Sequence, residues 1–157
     1  MSIFEKALSV MDDLFGRDRQ FSMATVKDGI PSVRFVDTYY EDGCMYIVTH
    51  AASRKVKDIS HNPNVALCNS SLCRFRGLAV NIGHPLDSSN ALVRQRLIEI
   101  FEPWYFAHNN EADPGMCYVK VELQSGFFHQ DGIGYKIDFG KRTATASLFE
   151  CDIALTE

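Results

Sequence analysis

One junction in the sequence gathers side chains suited to chemistry. Ser53-Arg54-Lys55 follows an apolar run ending in Val48-Thr49 and a short His50-Ala51-Ala52 link. The pattern predicts a strand running into a helix over Ser53 to His61. A helix start presents unpaired N–H groups and the positive end of the helix dipole. A Ser hydroxyl, an Arg and a Lys at that point suit a phosphate group. Basic residues in a first turn oppose the dipole by about 0.3–1 kcal/mol each. A local conflict of that kind points to function. Arg34 stands in an earlier apolar run, Val33-Arg34-Phe35-Val36, where it shares a face with Ser32, Val36 and Thr38. From a neighbouring strand it can reach the same phosphate. The plainer alternatives are a surface arginine on a solvated barrel face, and solvated first-turn cations at Arg54 and Lys55.

Other chemistries find less support. The histidines are His50, His61, His84, His108 and His129, and none belongs to an H-E-x-x-H motif. No G-x-S-x-G is present. The five cysteines, Cys44, Cys68, Cys73, Cys117 and Cys151, are odd in number and lack C-x-x-C spacing. They read as free thiols in a reducing compartment. No metal site is expected, and no side chain stands out as a general acid or base.

The elements that must hold these residues are legible from periodicity. Ser2 with Glu5 is a capping-box pattern, and Phe4, Ala7, Leu8, Met11, Leu14 and Phe15 follow at helical spacing, predicting a helix from about 3 to 15. The period then becomes two. Gln20–Val26, Pro31–Tyr40 and Cys44–Thr49 read as strands joined by Asp28-Gly29 and Asp42-Gly43 turns. After the Ser53–His61 helix, Val65–Asn69 and Phe75–Pro85 read as strands, with Gly77 and Gly83 marking bends or bulges. Asn90–Phe101 reads as a helix and Glu102–Gly115 as a loop carrying Trp104, Tyr105 and Phe106. The final strands are Met116–His129, Gly134–Phe139 and Thr143–Phe149, with a loose tail after about 150. Hairpins without regular helical crossovers favour a mainly β fold with flanking helices, a small closed or split antiparallel barrel of six to seven strands.

Composition agrees with one domain spanning residues 1–157. The chain is 46% hydrophobic and 23% charged, with a formal charge of −4. A chain this long buries roughly 70% of its unfolded surface and needs no staples. The acidic balance argues against a nucleic-acid partner. No apolar run approaches the roughly 20 residues of a membrane span. Glu5, Lys6, Asp12 and Asp13 interrupt the first apolar stretch, unlike a signal peptide, so a cytoplasmic location is expected.

The stretches P-S-V-R-F-V-D, Y-I-V-T-H-A-A-S-R-K-V-K-D-I and N-P-N-V-A-L, within residues 31–67, resemble the FMN-binding split-barrel family. That group includes pyridoxamine 5′-phosphate oxidase and the general stress protein-like flavoproteins. The resemblance is good over about residues 20 to 85 and weaker near 103 to 123. It implies that Arg34 and Lys55 bind the FMN phosphate, with Ser53 and Arg54 helping. It implies that Val48, Thr49 and the backbone of Phe35, Val36 and Asp37 line the flavin. It implies a homodimer with the flavin at the subunit interface, where Trp104 or Tyr105 could supply a second wall.

The chain departs from the pattern in two places. It lacks the C-terminal Trp and basic pair of pyridoxamine phosphate oxidases, and Phe127-Phe128-His129 stands where many stress-protein relatives have Tyr-Trp-Asp. The expected function is an FMN-dependent oxidoreductase passing electrons from a reduced donor, with NAD(P)H a candidate, to a small molecule. The alternatives are a non-catalytic flavin, deazaflavin or haem sensor or carrier, and a cofactor-free structural dimer.

Overall fold

The computed structural model describes residues 1–150, so the tail expected to be loose lies outside the described residues. The first helix, α1 (Ile3–Phe15), starts at the capping box: Glu5 N–H donates to Ser2 Oγ at 3.1 Å, and Ser2 N–H to Glu5 Oε2 at 2.8 Å. Its buried face is Phe4, Ala7, Val10, Met11 and Phe15, while Leu8 and Leu14 pack at its edge.

Eight strands follow: β1 (Arg19–Lys27), β2 (Ile30–Glu41), β3 (Cys44–His50), β4 (Asn64–Cys68), β5 (Arg74–Gly83), β6 (Met116–Gln130), β7 (Ile133–Asp138) and β8 (Thr143–Leu148). They lie in the order β3-β2-β1-β4-β5-β6-β7-β8, all antiparallel where paired. A further β3–β6 ladder closes the first six strands into a barrel. The β7–β8 hairpin extends that sheet beyond the closure, so the barrel, expected with six to seven strands, closes with six and carries two more.

The turns explain the connectivity. Asp28-Gly29 has φ of 53° and 74°, and Asp42-Gly43 has 48° and 79°. Two consecutive left-handed residues match the right-handed twist of a tight hairpin, and glycine adopts that conformation without steric penalty. Asp131-Gly132 repeats the device between β6 and β7, at 52° and 76°. The bulges expected in β5 fall where register shifts occur, between Arg76 and Gly77 and between Asn81 and Gly83.

Two cores result. The larger fills the barrel and the space under α1, with Phe15, Phe21, Phe75 and Phe128 in mutual edge or stacked contact. The second lies outside the barrel, beneath α3 (Ala91–Ile100), and includes Tyr39, Leu97, Phe101, Tyr105, Met116 and Tyr118. The segment expected as a loop after residue 101 contains one helical turn, α4 (Tyr105–His108), whose Tyr105 is buried in that second core. The remaining helix, α2 (Arg54–His61), packs on β1 and β5. Among the described residues, no helix is long and apolar enough to cross a membrane.

Candidate functional site

The strand-to-helix junction is built as its residue types dictate. Strand β3 ends at His50, and a tight turn leads to Ser53, the N-cap of α2. Ser53 N–H donates to His50 C=O at 3.0 Å, and Lys57 N–H to Ser53 C=O at 3.2 Å. An N-cap serine ordinarily accepts a hydrogen bond from its own helix. Ser53 does not: its Oγ is buried and, among the described residues, has no hydrogen-bond partner. Leaving a buried hydroxyl unpaired costs about 1–3 kcal/mol. The first turn of α2 carries no acidic residue to offset its basic ones.

Arg34 approaches this turn from β2, on the face whose later members Val36 and Thr38 are buried. The surface-arginine alternative is therefore corrected. The arginine points to the inner side of the barrel wall, with 21% of its side chain exposed. Its Nη1 donates to Thr25 Oγ1 at 2.8 Å and to Met23 C=O at 3.2 Å. Its Nη2 lies 3.7 Å from Asp58 Oδ2, and Thr25 Oγ1 donates to that same oxygen at 2.7 Å. Burial lowers the pKa of Arg34; Asp58 opposes the shift and Arg54 adds to it. Burial also lowers that of Lys55, and the charge of Arg34 lowers it further. Arg34 thus lies close enough to repel both Arg54 and Lys55, against the one carboxylate of Asp58.

A cavity of about 540 Å³ opens beside Lys55. Phe35, Val36, Asp37, Val48, Lys55 and Trp104 line it, six of the ten residues implicated by sequence. Arg54 instead faces a neighbouring hollow of about 520 Å³ with Ser32 and Asp58. Arg34, Thr49 and Ser53 line neither. Sequence reasoning missed Asp18, Ile47, His108 and Asn109, which complete the first cavity. Trp104 Nε1–H donates to Asp18 Oδ2 at 2.8 Å, and its ring lies 4.5 Å from that of Phe101. Burial raises the Asp37 carboxyl pKa, and the charge of Asp18 adds to the rise.

His50 and His129 serve structure. His50 Nδ1 accepts from Ala52 N–H at 3.0 Å, so its Nε2–H is the donor to Asp113 Oδ2 at 3.0 Å. The ring braces the turn ahead of α2. A Cβ on Gly115 would lie 2.3 Å from it, which explains the glycine there. His129 Nε2 is bonded to Ser71 C=O at 2.7 Å and packs against Phe149. Its neighbour Phe127 borders a different, larger hollow of about 750 Å³ on the outer face of the sheet. Asp138 Oδ1 accepts from Lys141 N–H at 2.8 Å and shapes the β7–β8 turn.

Comparison with known proteins places this architecture. Residues 9–130 match the family described as pyridoxamine 5'-phosphate oxidase. The chain belongs to the pyridoxamine 5'-phosphate oxidase family. Several solved structures share its fold at low identity. The General Stress Protein 26 of Bacillus anthracis is 21% identical, with 81% of this chain and 93% of that one covered and a TM-score of 0.56. A pyridoxamine 5'-phosphate oxidase-related, FMN-binding protein of Nostoc punctiforme is 12% identical, with coverage of 96% and 98% and a TM-score of 0.58. The haem storage protein HutZ of Vibrio cholerae is 13% identical, with coverage of 82% and 94% and a TM-score of 0.61. No curated protein matches the sequence.

Proposed function

We propose that the protein is an FMN-dependent oxidoreductase that works as a homodimer. The observation that carries this reading is the buried, unpartnered Ser53 hydroxyl at the start of α2, beside three cations. A phosphate dianion answers both features, because it offers acceptors to the hydroxyl and to the helix N–H groups and neutralises the excess charge. In this reading Arg34, Ser53, Arg54 and Lys55 hold the phosphate. The ring of the cofactor lies along Phe35, Val36 and Asp37, against Val48 and Thr49, with Trp104 as a wall. Bound flavin supplies the redox chemistry, accepting a hydride or electrons from a donor such as NAD(P)H. The chain supplies charge at the phosphate, an apolar strand surface for the ring, and exclusion of water.

Dimerisation is supported by the outer face of β2. Val33 and Phe35 are 70% and 71% exposed there, and Val33 adjoins the large hollow that also includes Ala24, Ala66 and Phe127. A contiguous apolar surface of this kind is a contact surface in most soluble proteins. A second copy would cover it and close the open side of the Lys55 cavity.

The test is spectroscopic. Purified protein titrated with FMN is expected to show bound-flavin absorbance and saturate at one FMN per chain, and NADH or NADPH to bleach it without oxygen. A protein that stays colourless and binds no FMN overturns the reading. Binding without bleaching by any donor reduces it to a carrier.

A further inference from the structure

The cavity beside Lys55 carries a charge pattern that the phosphate anchor does not explain. Two carboxylates face it, Asp37 from β2 and Asp18 from the link just before β1. Their proximity follows from the β1–β2 register. Asp37 pairs with Gln20, and Asp18 lies two residues before Gln20, just ahead of β1, so the register brings the two aspartates close together. Neither aspartate belongs to a salt bridge among the described residues. Asp18 uses one oxygen to accept from Trp104 Nε1, which pins the indole in the wall. A carboxylate has room for several donors, so the pair keeps acceptor capacity directed at whatever fills the space. The other polar lining groups are Lys55, His108 and Asn109.

We infer that Asp18 and Asp37 are specificity-determining residues: they form an acidic rim that favours a ring system with N–H donors on its edge, as in the imide of an isoalloxazine or a deazaflavin, and disfavours a porphyrin. This rests on the flavin reading above. The reasoning is one of satisfied and unsatisfied groups. An imide N–H donates to a carboxylate and so offsets both the burial and the Asp18 charge that raise the Asp37 pKa. The periphery of a haem carries methyl, vinyl and propionate groups and offers no donor. Seating it here would bury two carboxylates without partners, or set its own carboxylates against them. Discrimination then comes from a repulsive feature as much as from an attractive one. Asp18 has a second effect, as the positioning residue of Trp104.

The experiment compares FMN with haemin on the intact chain. Trp104 is the sole tryptophan, so quenching of its emission reports binding of either ligand, and displacement of haemin by FMN shows that the two share this cavity. Wild type is expected to bind FMN at least about a hundredfold tighter than haemin. Replacing Asp18→Asn and Asp37→Asn together keeps acceptors for Trp104 and for an imide but removes the charge. FMN is then expected to weaken about tenfold and haemin to tighten, so that the preference shrinks at least tenfold. Asp37→Asn alone, which leaves the Trp104 bond untouched, is expected to shrink it about threefold and serves if the double variant does not fold. An unchanged FMN-to-haemin ratio with intact FMN binding overturns this inference and leaves the flavin reading standing. Wild type that binds no FMN overturns both.

Discussion

Arg34 Nη2 lies 3.7 Å from Asp58 Oδ2, and that oxygen also accepts a 2.7 Å hydrogen bond from Thr25. The carboxylate therefore competes with any incoming phosphate for the arginine. Asp58→Asn keeps an acceptor for Thr25 but removes the counter-charge of a largely buried guanidinium. The ligand-free variant is expected to lose about 1–3 kcal/mol in denaturant titration. Adding FMN should then raise its Tm by more than it raises that of wild type, since the phosphate takes over the missing charge. An equal rise would show that Asp58 does not compete.

Removing the anchor itself separates phosphate from ring. Arg34→Ala with Lys55→Ala should weaken FMN by several powers of ten, because each charge-assisted hydrogen bond contributes about 1.5–3 kcal/mol. Riboflavin, which has the ring without the phosphate, should bind wild type and variant alike. Calorimetric titration with both compounds checks this. An unchanged FMN affinity would move the phosphate elsewhere.

The outer face of β2 gives a third expectation. Phe35 is 71% exposed in the single chain. If a second copy covers it, Phe35→Asp introduces a buried charge on each side of the interface, which costs several kcal/mol. Sedimentation should find wild type dimeric and the variant monomeric at micromolar concentration, with unchanged far-ultraviolet circular dichroism. A monomeric wild type would refute the dimer.

Much of this was legible in local pattern, because the signals were local. The Ser2–Glu5 box, the Asp-Gly pairs and the glycines of β5 each act within a few residues, and each stands where its chemistry requires. The junction at Ser53 to Lys55 was readable for the same reason. Asp18 was not. It sits in a three-residue link with no motif, and it meets Trp104 across 86 positions of sequence. Thr25 and Asp58 looked like ordinary polar positions on a strand and a helix. Only barrel closure turns them toward Arg34. His50 directly follows Thr49 in sequence, yet hydrogen bonds to Asp113 and Ala52 hold it in the turn ahead of α2, and it does not line the cavity.

The pH dependence of the anchor follows from Lys55. Burial and the charge of Arg34 lower its pKa from the ordinary 10.5. The folded, ligand-free chain therefore releases this proton at a lower pH than the unfolded chain, whose lysines titrate near ~10.4. Between those two values the unfolded state binds more protons, so stability from this group rises with pH. FMN affinity should move the other way and fall as pH passes the lowered value, since the phosphate needs the charged amine. Lys55→Met should flatten both profiles. Profiles parallel to wild type would show that Lys55 does not face the phosphate.

The wall that carries Trp104 is held by a polar chain that runs from the partly exposed Arg94 to the buried Tyr118, and its order of importance can be predicted. Arg94 donates to Glu111 through Nε at 2.7 Å and Nη2 at 2.6 Å, which holds the Glu111 carboxyl below its usual pKa. Tyr105 donates to Glu111 Oε2 at 3.1 Å, and the Tyr118 hydroxyl is bonded to that of Tyr105. Burial pushes Tyr118 up to about 12, so both phenols stay neutral donors at ordinary pH. Tyr118→Phe removes only the end of the chain and should cost about 1 kcal/mol. Tyr105→Phe breaks the middle. It strips Glu111 of a donor and leaves the buried Tyr118 hydroxyl unpaired, so it should cost more, about 1–3 kcal/mol. Because Tyr105 adjoins Trp104, that variant should also shift the tryptophan emission and weaken FMN, while Tyr118→Phe does neither. The reverse order in denaturant titration would mean that the second core, through its apolar packing alone, holds the wall.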